Sequence, residues 1–271
     1  MYYNIHIIII LPPGRVFPVS LGLRRYGLGI LLFFGIEKHP MKLRKLLKFL
    51  SPFEWSLWIC SMLVITVSFF FGTDRYPLTL IASLFGVSAL IFIAKGNVVG
   101  QFLIIGFSIL YGIISWNFRY YGEMITYVFM SLPSSIVACV SWLRHPSKAG
   151  KAEVEISPMN AKKWVYLALA ALGITVLFYF LLKYFNTANL PLSTLSVATS
   201  FFAAMLLILR SPFYAIGYAL NDLVLIGLWV FASIKSVSYL PMVFCFLTFL
   251  VNDSYGFINW KRMQKQQKNS Q

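Results

Sequence analysis

The chain has 271 residues, of which 59% are hydrophobic and only 11% are charged, and its mean hydropathy is +0.77. One water-soluble core cannot bury that much apolar surface, so the composition excludes a soluble globular protein and predicts an all-α polytopic membrane protein. The net charge of +15 comes from basic residues between and at the ends of hydrophobic runs, which is the pattern of positive-inside sorting rather than of nucleic-acid binding.

Residues 1–40 form a leader without a membrane-spanning run. Its apolar patches, Ile7–Leu11 and Gly27–Ile36, are too short to cross a bilayer, and no basic region feeds a signal-peptide core. We expect this leader to be peripheral or poorly ordered. From Met41, lysines and an arginine alternate with leucines, which predicts a basic interfacial helix within residues 41–72, followed by an extra N-terminal transmembrane helix.

Eight hydrophobic runs have the length of a membrane span. They are Ser56–Gly72, Leu78–Ala94, Asn97–Trp116, Gly122–Leu143, Trp164–Phe185, Leu192–Leu209, Pro212–Ile234 and Val237–Trp260. Basic residues concentrate in alternate connections and in the tail 263–271, so both termini are predicted to lie in the cytoplasm. Four tryptophans at span ends, Trp116, Trp142, Trp164 and Trp260, are expected to be anchors at the membrane interface.

An internal repeat relates residues 78–144 to residues 192–262. Each copy opens on a Pro-Leu pair, and its third span ends in a tryptophan followed closely by arginine. The alignment sets Gln101 opposite Asp222. A single linker span, 164–185, lies between the copies, so they run parallel, as two three-helix bundles in a 3+1+3 core. Transporters built this way bind solute between the bundles near the bilayer midplane.

The run Ser211–Ser233 carries Asn221 and Asp222 at its centre. A carboxylate in the middle of a bilayer costs a few kcal/mol, so it must face a partner or a watery cavity. Tyr218 lies on the stripe of Asn221, and Trp229 follows Asp222 by seven residues. This surface predicts a pocket wall for a small organic solute, including a cation, although polar residues also join neighbouring helices without any ligand.

Polar stripes on three other spans extend the candidate site, because several wet helix faces imply a shared cavity. One stripe contains Gln101, and another contains Tyr127. The last span carries Asn252 and Tyr255 on one face with Asp253 beside it. Glu123, near the outer end of its span, is a further candidate that has a structural alternative as a partner of Arg119. The predicted substrate-binding set is therefore Gln101, Glu123, Tyr127, Tyr218, Asn221, Asp222, Trp229, Asn252, Asp253 and Tyr255.

Motifs for catalysis or for metal binding are absent from the sequence. The histidines lie outside the spans, no phosphate-binding loop or nucleophile motif occurs, and three cysteines within hydrophobic runs have no metal-ligand spacing. We therefore predict a protein that is not an enzyme and that needs no cofactor or metal.

The motifs in three of these spans resemble the PnuC family of bacterial nicotinamide riboside transporters. The resemblance covers about residues 50–262 and depends on Trp116 with Tyr120–Met124 and Leu132–Pro133, on Asn221–Asp222, and on Asn252–Phe257 followed by Trp260. It implies a fold like that of the SWEET sugar transporters, a homotrimer in the bacterial inner membrane, and facilitated diffusion of the riboside. Trapping by a cytoplasmic riboside kinase is implied as well, with Gln101, Asn221 and Asp222 near the ligand.

The chemistry of nicotinamide riboside suits such a pocket. Its flat pyridinium cation can be held on aromatic faces at about 0.5–2 kcal/mol per contact, and amide and carboxylate side chains can bind its carboxamide and ribose. A carrier of thiamine or riboflavin on the same scaffold remains an alternative. A SWEET-type sugar carrier is a further alternative, against which Asp222 argues mildly. The last alternative is an integral-membrane receptor or enzyme.

Overall fold

The computed structural model describes residues 4–11, 15–22, 49–71, 77–117, 121–147, 153–187, 189–235 and 240–269. The predicted interfacial helix from Met41 lies outside these residues. In the leader, strand β1 (Asn4–Leu11) pairs antiparallel with strand β2 (Arg15–Gly22), a hairpin that the sequence analysis did not predict. Its runs of isoleucine and valine favour the extended backbone. The hairpin belongs to a compact unit separate from Leu50–Gln271.

Helices make up nearly all of the second unit, and eight of its helical segments, within the described ranges, are long and apolar enough to cross a membrane. The prediction of an all-α polytopic protein with eight spans is confirmed for this unit. The helices are α1 (Pro52–Phe71), α2 (Pro77–Ala94), α3 (Val99–Asn117), α4 (Tyr121–Thr126), α5 (Leu132–Arg144), α6 (Ala161–Tyr184), α7 (Leu190–Ile208), α8 (Tyr214–Lys235) and α9 (Leu240–Asn269).

A π-helical turn over Tyr127–Ser131 joins α4 and α5 into one span. The amide of Leu132 donates to the carbonyl of Tyr127, five residues earlier. Pro133, which has no N–H, follows directly and cannot continue the ordinary α-helical bonding, so the helix widens just before it.

Six helices form a ring in which each packs against the next in the order α2, α3, α5, α7, α8 and α9, and α9 closes on α2. Helix α1 lies outside the ring against α2 and α9, and α6 lies outside against α7. Counted from its helix start, Gln101 is the third residue of α3, whereas Asp222 is the ninth of α8. The two residues that the repeat alignment set opposite each other therefore differ in depth by almost two turns.

One end of the ring, called here the basic end, is where α2, α5 and α7 end, at or next to the basic residues Lys95, Arg144 and Arg210. Two tryptophans close it. The indole N–H of Trp142 donates to the carbonyl of Leu207, the indole N–H of Trp260 donates to the carbonyl of Ile93, and the rings lie 5.5 Å apart.

The expectation that these two tryptophans are interface anchors is therefore wrong. Both side chains are buried, and each indole N–H has its hydrogen-bond partner inside the bundle and not at the membrane interface. Trp116, in contrast, is 61% exposed, as an anchor requires. Helix α9 also continues nine residues beyond Trp260, and the tail predicted from residue 263 is helical as far as Asn269.

Candidate functional site

A cavity of about 570 Å³ lies inside the ring. It extends from the connection between α6 and α7, at the far end, to a floor formed near the basic end by Ile93, Leu207 and Tyr214. Of the ten predicted site residues, seven line it: Gln101, Tyr127, Tyr218, Asn221, Asp222, Trp229 and Asp253. The structure thus brings together side chains from α3, the π-turn, α8 and α9.

Helix α8 supplies the most varied wall. Tyr218, Asn221, Asp222, Leu225 and Trp229 recur at helical spacing along its inner face. Tyr218 lies beside Tyr214 with ring centroids 6.3 Å apart. This wall therefore offers aromatic surface, an amide and a carboxyl group within about three helical turns.

Two acids face each other across α8 and α9. Asp222 is 3% exposed and Asp253 is 4% exposed, and their carboxyl groups lie within hydrogen-bonding reach of each other. Oδ2 of Asp222 has no partner among the described residues. The described residues that line the cavity include no lysine, arginine or histidine. The cavity therefore has an acidic pair without a basic partner among its described lining residues, and a bound cation would lower the repulsion between the two carboxyl groups.

The amide of Gln101 is the clearest case of a buried polar group without a hydrogen-bond partner among the described residues. The side chain is 0% exposed and lines the cavity, and neither Oε1 nor Nε2 has a hydrogen-bond partner among the described residues. Ser108, two turns farther along α3, is unpartnered in the same way. Buried amides almost always have partners because an unmade hydrogen bond costs about 1–3 kcal/mol. A solute in the cavity would supply both a donor and an acceptor to Gln101.

Asn221 is held by two hydroxyl groups on α7. Its Oδ1 lies 2.9 Å from Oγ1 of Thr199 and 3.2 Å from Oγ of Ser196. Sequence analysis missed this wall. Serines at 193, 196 and 200 all line the cavity, and their i, i+3, i+7 spacing was a readable signal.

An aromatic cluster lies on the opposite side of the cavity from α8. The rings of Tyr111 and Tyr127 are 4.3 Å apart, and Phe107 lies 5.4 Å from Tyr111 and 5.6 Å from Tyr127. Tyr127 belongs to the π-turn. The wider turn therefore lies in the wall of the cavity, where such turns are often found at functional sites. Phe107 was not predicted, because an apolar residue within an apolar span carries no distinguishing signal.

Asn252 and Tyr255 are not among the residues that line the cavity, and both bond to α1, so their role as substrate ligands stays a prediction. The amide of Asn252 donates to Ser61 of α1 and to the carbonyl of Thr248. The hydroxyl of Tyr255 donates to Glu54 of α1, which also pairs with Lys95 at 3.0 Å. This face of α9 is the seam with α1, and a step of one residue turns Asp253 about 100° toward the cavity. Glu123 lies in α4, but its side chain is outside the described part.

The comparisons with known proteins all match transporters, of nicotinamide riboside, of nicotinamide mononucleotide or of vitamin B3. A family model described as "Nicotinamide mononucleotide transporter" matches residues 76–262. The nicotinamide riboside transporter PnuC of Neisseria mucosa is 27% identical over 216 residues, which cover 78% of this chain and 81% of the relative. The protein of the same name from Haemophilus influenzae is 23% identical over 216 residues, covering 79% and 92%. A crystal structure of the vitamin B3 transporter PnuC superimposes with a TM-score of 0.69 at 25% identity, covering 80% of this chain and 94% of that one.

Proposed function

The chain belongs to the PnuC family of membrane transporters, and from that premise we propose that it carries nicotinamide riboside across the bilayer by alternating access at the cavity. The family consists of transporters, so the prediction that the chain is not an enzyme is confirmed. The observation that carries the proposal is the composition of the cavity wall: two acids, an unpartnered amide and several aromatic rings, with no basic side chain among its described residues.

The charge of the cavity favours the riboside over the mononucleotide named in the family description. A phosphate monoester carries about −1.5 to −2 charges at pH 7. To bring that charge beside Asp222 and Asp253 without a cationic partner would cost more than the remaining contacts return. The riboside has only its pyridinium charge, which the two carboxyl groups attract and the rings of Tyr218 and Trp229 can face.

The rest of the solute finds matching groups. A carboxamide has one acceptor and one donor side, and so does the unpartnered amide of Gln101. The ribose hydroxyl groups are suited to the serine-rich wall of α7 and to Asn221. These contacts are modest individually, which a carrier needs because it must also release its solute.

The direction of uptake follows from the same electrostatics. We propose facilitated diffusion, in which a cytoplasmic kinase phosphorylates the riboside after it has crossed. The product is then an anion that the acidic cavity rejects, so it cannot return. The positive-inside rule supports a further part of the proposal, that the basic end of the ring and both chain termini face the cytoplasm of a bacterial inner membrane. A homotrimeric assembly belongs to the same proposal by resemblance to the family.

Thiamine is the second candidate solute, because it too is an aromatic cation and the two acids would attract it. Riboflavin is neutral and gains no charge attraction from them. A SWEET-type sugar carrier is disfavoured for the same reason, since a neutral sugar gains hydrogen bonds but no charge attraction from the two facing carboxyl groups. Thiamine differs from the riboside in having no carboxamide, so the effect of replacing Gln101 on the binding of each solute distinguishes the two candidates.

A ligand panel tests the proposal. Nicotinamide riboside, nicotinamide mononucleotide, nicotinamide, thiamine and riboflavin are titrated into the purified protein, and uptake of each is measured in liposomes without a kinase. We expect saturable binding and equilibration of the riboside without accumulation, and no uptake of the mononucleotide. Preferential binding of thiamine that survives Gln101→Ala would replace the riboside with thiamine. Accumulation driven by a sodium or proton gradient would contradict facilitated diffusion.

A further inference from the structure

The loop that connects α5 to α6 forms hydrogen bonds with the end of the first repeat. Residues 145–147, which continue α5, pair antiparallel with residues 153–155 through a bridge between Pro146 and Val154. The amide of Ser147 donates to the carbonyl of Glu153 at 2.8 Å, and the amide of Glu155 donates to that of His145 at 2.9 Å. The amide of Val154 also donates to the carbonyl of Gly96, at the end of α2. All of these bonds join main chain to main chain.

The next two residues of the loop are bonded to the second repeat. Oε1 of Gln267, on α9, accepts from the amide of Ile156 at 2.8 Å, and Nε2 of Gln267 donates to the carbonyl of Val154 at 3.0 Å. The amide of Ser157 donates to the carbonyl of Arg210, at the end of α7. The guanidinium of Arg210 returns a bond to the carbonyl of Glu155 at 3.2 Å. Segment 153–157 therefore joins both repeats at the basic end.

The segment also fills the space between the two helix ends. Val154 is 2% exposed, and its side chain packs over Gly96 together with that of Met263. Gly96 and Arg210 have φ of +62° and +57°, so α2 and α7 both end in left-handed turns, and the segment crosses from one turn to the other. Ile93 and Leu207, which line the floor of the cavity, lie three residues before these turns. A solute that leaves through the basic end must pass this point.

We propose that segment 153–157 is a latch that keeps the basic end closed and that releases the second repeat when the carrier opens there. Among the described residues, three of its four hydrogen bonds to α7 and α9 use a side chain of Gln267 or Arg210, and Arg210 also pairs with the Glu155 carboxylate at 3.9 Å, whereas its hydrogen bonds to the first repeat join main-chain groups. The latch therefore remains with α5 and separates from α7 and α9. This inference rests on the proposed transport function, because a latch at one end has a purpose only if solute leaves there.

Reversible cross-linking tests which contacts must break. In a background with Cys60, Cys139 and Cys245 replaced by alanine, Ile156→Cys and Gln267→Cys are joined by a short bis-methanethiosulfonate reagent, which forms a disulfide with each thiol and is removed by reduction. Cross-linking should lower uptake of nicotinamide riboside at least about tenfold, reduction should restore it, and the binding constant should change by less than about twofold, since the cavity is untouched. The matched control joins Ser147→Cys to Glu153→Cys within the first repeat and should leave uptake unchanged. Normal uptake with the link from residue 156 to residue 267, or an equal block by the control link, would overturn the latch.

A second measurement does not depend on the solute. Leu207→Cys, in the same background, is labelled by a membrane-impermeant thiol reagent added at the side of the basic end. Adding Gln267→Ala should raise the labelling rate about threefold or more, because the latch loses its two hydrogen bonds to the Gln267 side chain on α9. Gln264→Ala, one turn earlier on α9, is the control and should leave the rate unchanged. An unchanged rate with Gln267→Ala overturns the latch whatever the solute proves to be, whereas failure of the ligand panel with increased labelling overturns only the solute.

Discussion

Trp142 and Trp260 occupy reciprocal positions at the basic end of the ring. Each indole N–H donates to a carbonyl at the end of the first helix of the other repeat: Trp142 to Leu207, and Trp260 to Ile93. Each of these carbonyls also accepts a bond from the backbone amide three residues later. The pattern gives the two repeats a common local geometry, and the 5.5 Å contact between the rings couples them.

Replacement of either tryptophan by phenylalanine should therefore destabilise the bundle. Each change removes one buried hydrogen bond and some ring volume, so we expect the free energy of unfolding to fall by about 1–2 kcal/mol. Thermal unfolding in detergent measures this loss. Trp116→Phe, at an exposed position, is the control and should shift the midpoint little. Because the two rings touch, the double variant should deviate from additivity, and strictly additive losses would contradict the coupling.

Replacement of Gln101 should weaken solute binding without lowering the stability of the solute-free protein. Its buried amide has no partner among the described residues, so Gln101→Met should leave the solute-free protein as stable or more stable. The same change should weaken binding of nicotinamide riboside about tenfold or more, as expected for a lost pair of hydrogen bonds. Thermal unfolding with and without solute measures both effects. A large loss of stability without solute would instead indicate a structural role for the amide.

The facing acids should control selectivity by charge. Asp222→Asn and Asp253→Asn each remove one carboxyl group of the pair at nearly constant volume, so binding of the riboside should fall about 10- to 100-fold, the range for a hydrogen bond to a charged group. The ratio of riboside to mononucleotide affinity should fall as well, because the anion is repelled less. Competition binding measures this ratio. A riboside affinity that is unchanged in both variants would contradict an electrostatic role for the pair.

Tyr218 and Tyr255 should separate binding from stability. Tyr255→Phe removes the hydroxyl group that donates to Glu54 at 2.7 Å, so it should cost about 1–2 kcal/mol of stability and leave binding unchanged. Tyr218→Ala removes a ring from the cavity wall and should weaken binding of the cation by about 0.5–2 kcal/mol. Titration and thermal unfolding of both variants distinguish the two roles. Weakened binding of nicotinamide riboside by the Tyr255→Phe variant would show that Tyr255 contributes to the binding site.

Hydropathy located both ends of every span except the last to within a few residues, because the bilayer fixes the length of an apolar helix, whereas α9 continues nine residues beyond the predicted end at Trp260. Periodicity also placed Tyr218, Asn221, Asp222 and Trp229 on one wall. It did not show which neighbour a polar stripe faces, so Asn252 was assigned to the cavity although it bonds Ser61. Nor could it show that an indole N–H would reach a carbonyl more than 60 residues away.

The hydroxyl groups of α7 were missed for a different physical reason. A serine or threonine in a helix can satisfy its own hydroxyl on the carbonyl four residues earlier, so its presence in a span predicts no external partner. Thr199 illustrates this, since its hydroxyl lies 2.9 Å both from the carbonyl of Leu195 and from Oδ1 of Asn221. Only the packing of α7 against α8 brings the second group within reach.

Thr199 should therefore act on the solute through Asn221. It does not line the cavity, and Thr199→Val keeps the side-chain shape while it removes the hydroxyl group that holds the Asn221 amide. We expect binding of nicotinamide riboside to weaken about three- to tenfold, the effect of one neutral hydrogen bond, and Thr199→Ser to restore it. In an Asn221→Ala background the valine variant should have no further effect, because its only route to the solute is gone. Equal losses from Thr199→Val with and without Asn221 would show that the hydroxyl supports the helix and does not position the amide.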